Sequence, residues 1–313
     1  PTRRSSDLIY IILALTFGYT LIMAETSLGR MTRKSPVGAF GNFGKSRFIS
    51  LGGWINAIIP ILIVPYYSVI GGWVIKYLIE YFSGHSKALA GDTYFTSFIS
   101  NGISTEICFL IFTLFTLGII YAGVRNGIER VSKFMMPILI VLSLIIAVYS
   151  VTRPGAIEGV KYFLVPNFEH FSWMTVVSAM GQMFYSLSIA MGILITFGSY
   201  MKKDTSIEKS TENVEIFDTA IAIMAGLMII PAVFAFSGGD AATLKSGPAL
   251  MFITIPKVFA NMGFGTAIGI VFFLLVLFAA VTSSIALTES AVSTFEDELH
   301  WSRRKSTVLD RKS

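Results

Sequence analysis

The chain has 313 residues, of which 54% are hydrophobic and only 14% charged. Soluble domains carry about a quarter charged residues, so this composition excludes an ordinary soluble globule and indicates an all-α protein that crosses a membrane several times. The net charge of +5 is dispersed over particular connections, which argues against a nucleic-acid partner, and the one cysteine, Cys108, permits no internal disulfide. The three histidines, His85, His170 and His300, are scattered and suggest no metal site.

The polar prefix Pro1–Asp7 has the look of a cloning or sequencing scar and is set apart from the fold. Apolar length predicts seven spans, at about 8–29, 50–82, 104–123, 131–151, 173–200, 214–237 and 265–291. Arg30, Arg33, Lys34, Lys45 and Arg47 follow the first span with no acid among them. Arg125, Arg130 and Lys133 follow the third, and Lys202, Lys203 and Lys209 the fifth; the 301–313 tail adds Arg303, Arg304, Lys305, Arg311 and Lys312. The opposite connections hold only Lys87, Arg153, Lys161, Lys245 and Lys257. The positive-inside rule therefore puts 30–48 and the tail in the cytoplasm. The first span then starts outside, most simply because a preceding helix is missing from this chain. Among the outer connections, 83–103 is polar, 152–172 carries the turn signals Pro154-Gly155 and Pro166-Asn167, and 238–264 is punctuated by Pro248 and Pro256. The last reads either as a cap over a vestibule or as an ordinary ordered loop.

Within the spans, polar residues mark positions that lipid would not tolerate. Glu25 stands near the inner end of the first span, as an interfacial carboxylate or as the anchor of a hydrogen-bond network. Tyr66-Tyr67 lie mid-span and need hydroxyl partners. Lys76 and Glu80, four apart, read as a pair at a helix end. From Gly181 to Gly192 the fifth span carries a carboxamide, a tyrosine and two serines between glycines. Such a stretch is either a helix that breaks to offer main-chain groups to a ligand or a packed helix with small residues at its contacts. Asp218, an intramembrane acid, demands a cation, a proton site or a buried donor. Thr282, Ser283 and Ser284 place three successive hydroxyls deep in the last span, hard oxygens suited to an alkali cation; small-residue packing is the competing account. No His, Cys or carboxylate cluster offers a nucleophile with its base, which disfavours an enzyme.

Taken in order, Glu25-Thr26-Ser27-Leu28-Gly29-Arg30, Tyr66-Tyr67, Gly181 to Gly192, Ala279 to Ile285 and Phe295-Glu296-Asp297-Glu298-Leu299 resemble the neurotransmitter:sodium symporter family, in its bacterial amino-acid branch. The resemblance covers family helices two to eight. It implies an inverted-repeat transporter fold, for which this family is a type example, here incomplete, with the first helix and the last four missing. On that basis residues 8–300 form a partial transporter domain of a sodium-coupled amino-acid symporter working by alternating access, with no organic cofactor and the bilayer as surroundings.

The resemblance also assigns roles. Tyr67 would donate to a substrate carboxylate, and the carbonyls of Tyr185 and Ser186, with Ser188, would accept from its ammonium. Tyr185 would close the site from outside, while Ile63, Met191, Ser284 and Leu287 line the side-chain pocket. The adaptable thioether of Met191 favours a large hydrophobic or aromatic amino acid. Ser186 would serve one sodium site, and the Ala279 carbonyl, Thr282 and Ser283 half of another. Asp218, with Gln182 nearby, would replace the chloride of chloride-dependent relatives. Tyr200, Glu289 and Asp297 match a cytoplasmic gate, and Gly127 with Pro137 a hinge. The missing helices leave two rivals: a non-transporting remnant or accessory subunit, and a transporter of the same fold with another coupling ion or substrate.

Overall fold

The computed structural model describes residues 3–44, 46–165, 172–239 and 247–302, with side chains from Leu8 onward except those of Arg125 and Asn126. Lys45, His170, Lys245 and the basic tail from Arg303 therefore lie outside the described residues, as does the Pro166-Asn167 turn. Every regular element described is helical. Helix α1 (Arg3–Leu13), a π turn at Ala14–Gly18 and α2 (Tyr19–Thr32) form one rod; the short α3 (Pro36–Gly41) leads to α4 (Arg47–Phe82). Next come α5 (Ser86–Leu89), α6 (Tyr94–Ser100) and α7 (Gly102–Tyr121), then a π turn at Val124–Ile128 and α8 (Glu129–Val151). After α9 (Ala156–Leu164) stand α10 (Trp173–Ser186), α11 (Ile193–Tyr200) and α12 (Ile207–Ser237). A π turn at Leu250–Thr254, α13 (Ile255–Ala260) and α14 (Gly265–Leu299) complete the order.

Six of these rods are long and apolar enough to cross a membrane: Leu8–Thr32, Arg47–Phe82, Gly102–Tyr121, Glu129–Val151, Ile207–Ser237 and Gly265–Leu299. The seventh expected span, about 173–200, is split into α10 and α11. Two rods outrun the apolar windows read from sequence. Helix α12 starts at Ile207 behind Ser206, whose hydroxyl caps the Lys209 N–H at 3.3 Å, and α14 continues to Leu299. In both, charged turns outside the apolar window carry the helix on. Helix α4, at 36 residues, is about 54 Å long at 1.5 Å per residue and must tilt or project from a roughly 30 Å hydrocarbon layer.

Helix α4 lies along α14, flanked by α7; α8 packs between α14 and α12, and α2 lies along α11. The α2–α11 contact depends on glycine at two places. A Cβ on Gly29 would stand 1.9 Å from the Ile195 carbonyl oxygen, and one on Gly198 2.4 Å from that of Thr26. At the end of the bundle carrying α5, α6 and α13, an aromatic cluster of Tyr77, Tyr81, Phe95, Phe252, Phe259 and Phe273 forms the largest core. Tyr77 donates its hydroxyl to the Phe252 carbonyl at 2.7 Å. Within 238–264, Phe252, Ile255, Val258 and Phe259 are thus packed into this core. Residues 240–246 of that connection are outside the described residues. Lys76 and Glu80 pair at 2.6 Å, and His85 Nδ1 meets the other Glu80 oxygen at 2.7 Å.

Candidate functional site

Between α10 and α11 the helical pattern stops for six residues. Leu187 N–H still reaches the Met183 carbonyl (3.0 Å), Ser188 N–H that of Tyr185 (3.3 Å) and Ile189 N–H that of Phe184 (3.0 Å). Then Ser188, Ala190 and Gly192 all take positive φ, at 57°, 59° and 68°, conformations in which an L-residue other than glycine is strained. Two side chains hold the strained segment. Glu25 Oε1 on α2 accepts the Ala190 N–H at 2.8 Å, and Asn56 Oδ1 on α4 accepts the Gly192 N–H at 3.2 Å. Gly192 is also a steric necessity, since a Cβ there would lie 2.6 Å from Pro36 Cγ and 2.9 Å from the Asn56 carbonyl oxygen. Among the described residues, the carbonyls of Ser186, Leu187, Ser188, Ile189 and Ala190 accept no main-chain hydrogen bond. An interrupted helix thereby leaves oxygens available at mid-rod. The Tyr185 carbonyl, expected among them, is engaged by Ser188 N–H.

The apolar residues expected to receive a side chain assemble beside this break. Ile63, Tyr67, Met191 and Leu287 join Val64, Ile193 and Phe197 in one cluster drawn from α4, the break itself, α11 and α14. Ser284 is buried one turn before Leu287, its hydroxyl without a partner among the described residues. Tyr185 is exposed at the last turn of α10.

Asp218 sits three turns inside α12 rather than one, because that helix begins at Ile207. It is satisfied by donors: Tyr10 OH at 2.8 Å on Oδ2, and Ser186 Oγ at 3.2 Å and 3.1 Å on its two oxygens. The acid thus joins α1, α10 and α12 at the edge of the break. Gln182 lies one turn earlier on α10 and is exposed.

On α14, Thr282 Oγ1 donates back to the carbonyls of Phe278 and Ala279, both at 3.0 Å. Its proton is spent on the helix, so its lone pairs stay available to a cation. Ser283 is half-buried on the same helix. Of the three hydroxyls, then, one bonds to the preceding turn while Ser284 Oγ is left unpaired. Hard carbonyl and hydroxyl oxygens suit an alkali ion. Among the described residues no group of three or more His, Cys, Asp or Glu gathers as a transition-metal site would need.

At the other end of α11, Tyr200 OH donates to Glu289 Oε1 at 2.7 Å, and Glu289 is fully buried. Thr196 on α11 meets Ser290 (3.4 Å) and Ser293 (3.2 Å) on α14. Asp297 stands apart from that pair and accepts from the Ser35 N–H. The segment from Gly127 to Pro137, expected to unwind, is wound here: Gly127 lies in the π turn and Pro137 inside α8. Gly127 is buried against the Ile119 carbonyl, 2.0 Å from where a Cβ would sit.

Sequence reasoning passed over Asn56 and Tyr10. Asn56 had a signal, as a lone carboxamide in an apolar rod that must find a partner. Tyr10 had none, since a tyrosine near a helix end reads as an interfacial anchor.

The sequence and the fold have counterparts in known proteins. The family model of the sodium:neurotransmitter symporter family matches residues 99–310. The uncharacterized sodium-dependent transporter YhdH of Bacillus subtilis is 35% identical over 290 residues, which cover 92% of this chain and 63% of the relative. An uncharacterized sodium-dependent transporter of Haemophilus influenzae is 32% identical over 316 residues, covering 96% of this chain and 68% of its own. The crystal structure of MhsT in complex with L-phenylalanine superposes with a TM-score of 0.88 at 33% identity, over 98% of this chain and 69% of that one. The chain spans about two thirds of the length of the relatives it matches. It is a multi-pass membrane protein that belongs to the sodium:neurotransmitter symporter family.

Proposed function

We propose that the full-length protein is a sodium-coupled symporter of a large hydrophobic or aromatic L-amino acid, working by alternating access in the cell membrane. The observation that carries the reading is the interruption between Ser186 and Ile193, with its strained residues held by Glu25 and Asn56. Exposed carbonyls there suit both an ammonium group and an alkali ion, and a cation and a carboxylate bound side by side in low dielectric raise each other's affinity. That is a direct physical basis for coupling. The apolar cluster of Ile63, Tyr67, Met191 and Leu287 supports a bulky apolar side chain, and MhsT was solved with L-phenylalanine.

Tyr67 is the donor proposed for the substrate carboxylate, Tyr185 the outer lid, and Ser186 with Ala279, Thr282 and Ser283 the sodium oxygens. Asp218 supplies the fixed negative charge that, by the family resemblance, would replace the anion of chloride-dependent relatives, so transport is chloride-independent. Tyr200 and Glu289 close the cytoplasmic side, with Asp297 next to the α2–α3 connection. Gly127 and Pro137 bound the stretch whose unwinding would admit water. Uptake of labelled L-phenylalanine into proteoliposomes of the full-length protein tests the reading. Uptake should stop when choline replaces sodium and persist when gluconate replaces chloride. Sodium-independent uptake overturns the coupling, and a chloride requirement overturns the role of Asp218.

A further inference from the structure

On the face that carries the C-terminal end of α2 and the N-terminal end of α12, a cavity of about 500 Å³ is lined by Ser27, Arg30, Met31, Arg33, Lys203 and Ile207. Three of the six are cations. Both arginines are held in place by main-chain carbonyls: Arg30 donates to those of Thr205 and Lys203, and Arg33 to those of Ser199, at 2.9 Å, and Met201. A carbonyl accepts a hydrogen bond without neutralising the charge, and each guanidinium has five N–H donors, so donors and charge are both left over. None of the ion pairs among the described residues involves these three side chains. Asp204 and Glu208 are their sequence neighbours but do not line the cavity. The reciprocal glycine contact of α2 with α11 fixes the geometry of this face, and the exposed Met31 gives it an apolar edge.

We infer that this cavity binds a phosphate-bearing anion between Arg30, Arg33 and Lys203. Planar guanidinium groups and an ammonium around one concavity match tetrahedral oxyanion chemistry. Two sources can present it: the headgroup of an anionic phospholipid in the adjoining leaflet, or free inorganic phosphate. The site is separate from the break between α10 and α11, so its occupancy can be read without measuring transport.

Native mass spectrometry of the detergent-purified full-length protein with dioleoylphosphatidylglycerol or dioleoylphosphatidylcholine tests the lipid source. A thermal-stability titration with inorganic phosphate tests the free anion. Phosphatidylglycerol should be retained in preference to phosphatidylcholine, and Lys203→Gln should weaken it about fivefold, the effect of one basic residue at an anionic surface. The Lys203 side chain makes none of the loop's hydrogen bonds, so the variant should keep wild-type stability in phosphatidylcholine. The double variant Arg33→Gln/Lys203→Gln should weaken binding further. A phosphate-dependent stabilisation lost in Lys203→Gln also supports the site and identifies the free anion as its source. Equal responses of wild type and both variants to both probes would overturn the inference.

Discussion

Ala190 and Gly192 carry the two peptide N–H groups that the interrupted rod passes to side chains, so the cost of removing each acceptor can be stated. Asn56→Ala leaves the Gly192 N–H without its partner and should destabilise the protein by about 1–2 kcal/mol, read from the denaturation midpoint. Glu25→Ala should cost a similar amount for Ala190, while Glu25→Gln keeps an acceptor and should cost less. The two glycines that bracket the stretch in sequence are not equivalent. Nothing lies within 4 Å of a Cβ on Gly181, whereas Gly192 has φ +68° and backbone and ring atoms within 3 Å. Gly192→Ala should therefore destabilise by about 1–3 kcal/mol. Gly181→Ala, inside α10, should stabilise by up to about 1 kcal/mol. Here the limit of the sequence is physical: residue type marks both positions as small, and only the backbone torsion shows which one needs to be. Asp218 was legible as an acid requiring a partner, yet Tyr10 is 208 residues away along the chain, beyond any local pattern. Asp218→Asn removes the fixed charge and should make sodium-driven uptake depend on added chloride; continued indifference to chloride would show that the acid does not stand in for an anion.

At the scale of elements, apolar length located six continuous rods and a seventh span that is split into α10 and α11, and it missed the ends of two of the rods. The turns at Glu208–Glu212 and Val292–Leu299 remain helical outside the apolar windows: Ser206 caps the first at the Lys209 N–H, and burial of Val292, Ser293 and Thr294 against the bundle carries the second. The α2–α11 lock was invisible in sequence, since Gly29 and Gly198 belong to different expected spans. Gly29→Ala would drive a methyl against the Ile195 carbonyl oxygen; overpacking at this contact should cost several kcal/mol or abolish folding. Gly41→Ala, with open space around its Cβ position, is the control that should leave the melting temperature unchanged. Helix α8 is continuous through Pro137 here, so the proposed hinge is described in its wound form.

For the molecule as a whole, the long rods α4 and α14 pack on each other, α2 packs on α11 and α1 on α10 around the break, and α8 bridges α14 to α12. Polar bonds join α4 and α14 to the break and α11 among the described residues: Asn56 reaches Gly192, Ser290 reaches the Met191 carbonyl at 3.4 Å, Thr196 meets Ser290 and Ser293, and Tyr200 reaches Glu289. Movement of one group against the other must break or carry these bonds. The most direct test of the central claim is a high-resolution density map of the full-length protein with sodium and L-phenylalanine. The account predicts the amine and a sodium ion on bare carbonyls between Ser186 and Ala190, with Glu25 and Asn56 still holding the neighbouring amides. A rod hydrogen-bonded without a gap from Ser178 to Ile195, or ligand bound away from that segment, would contradict it.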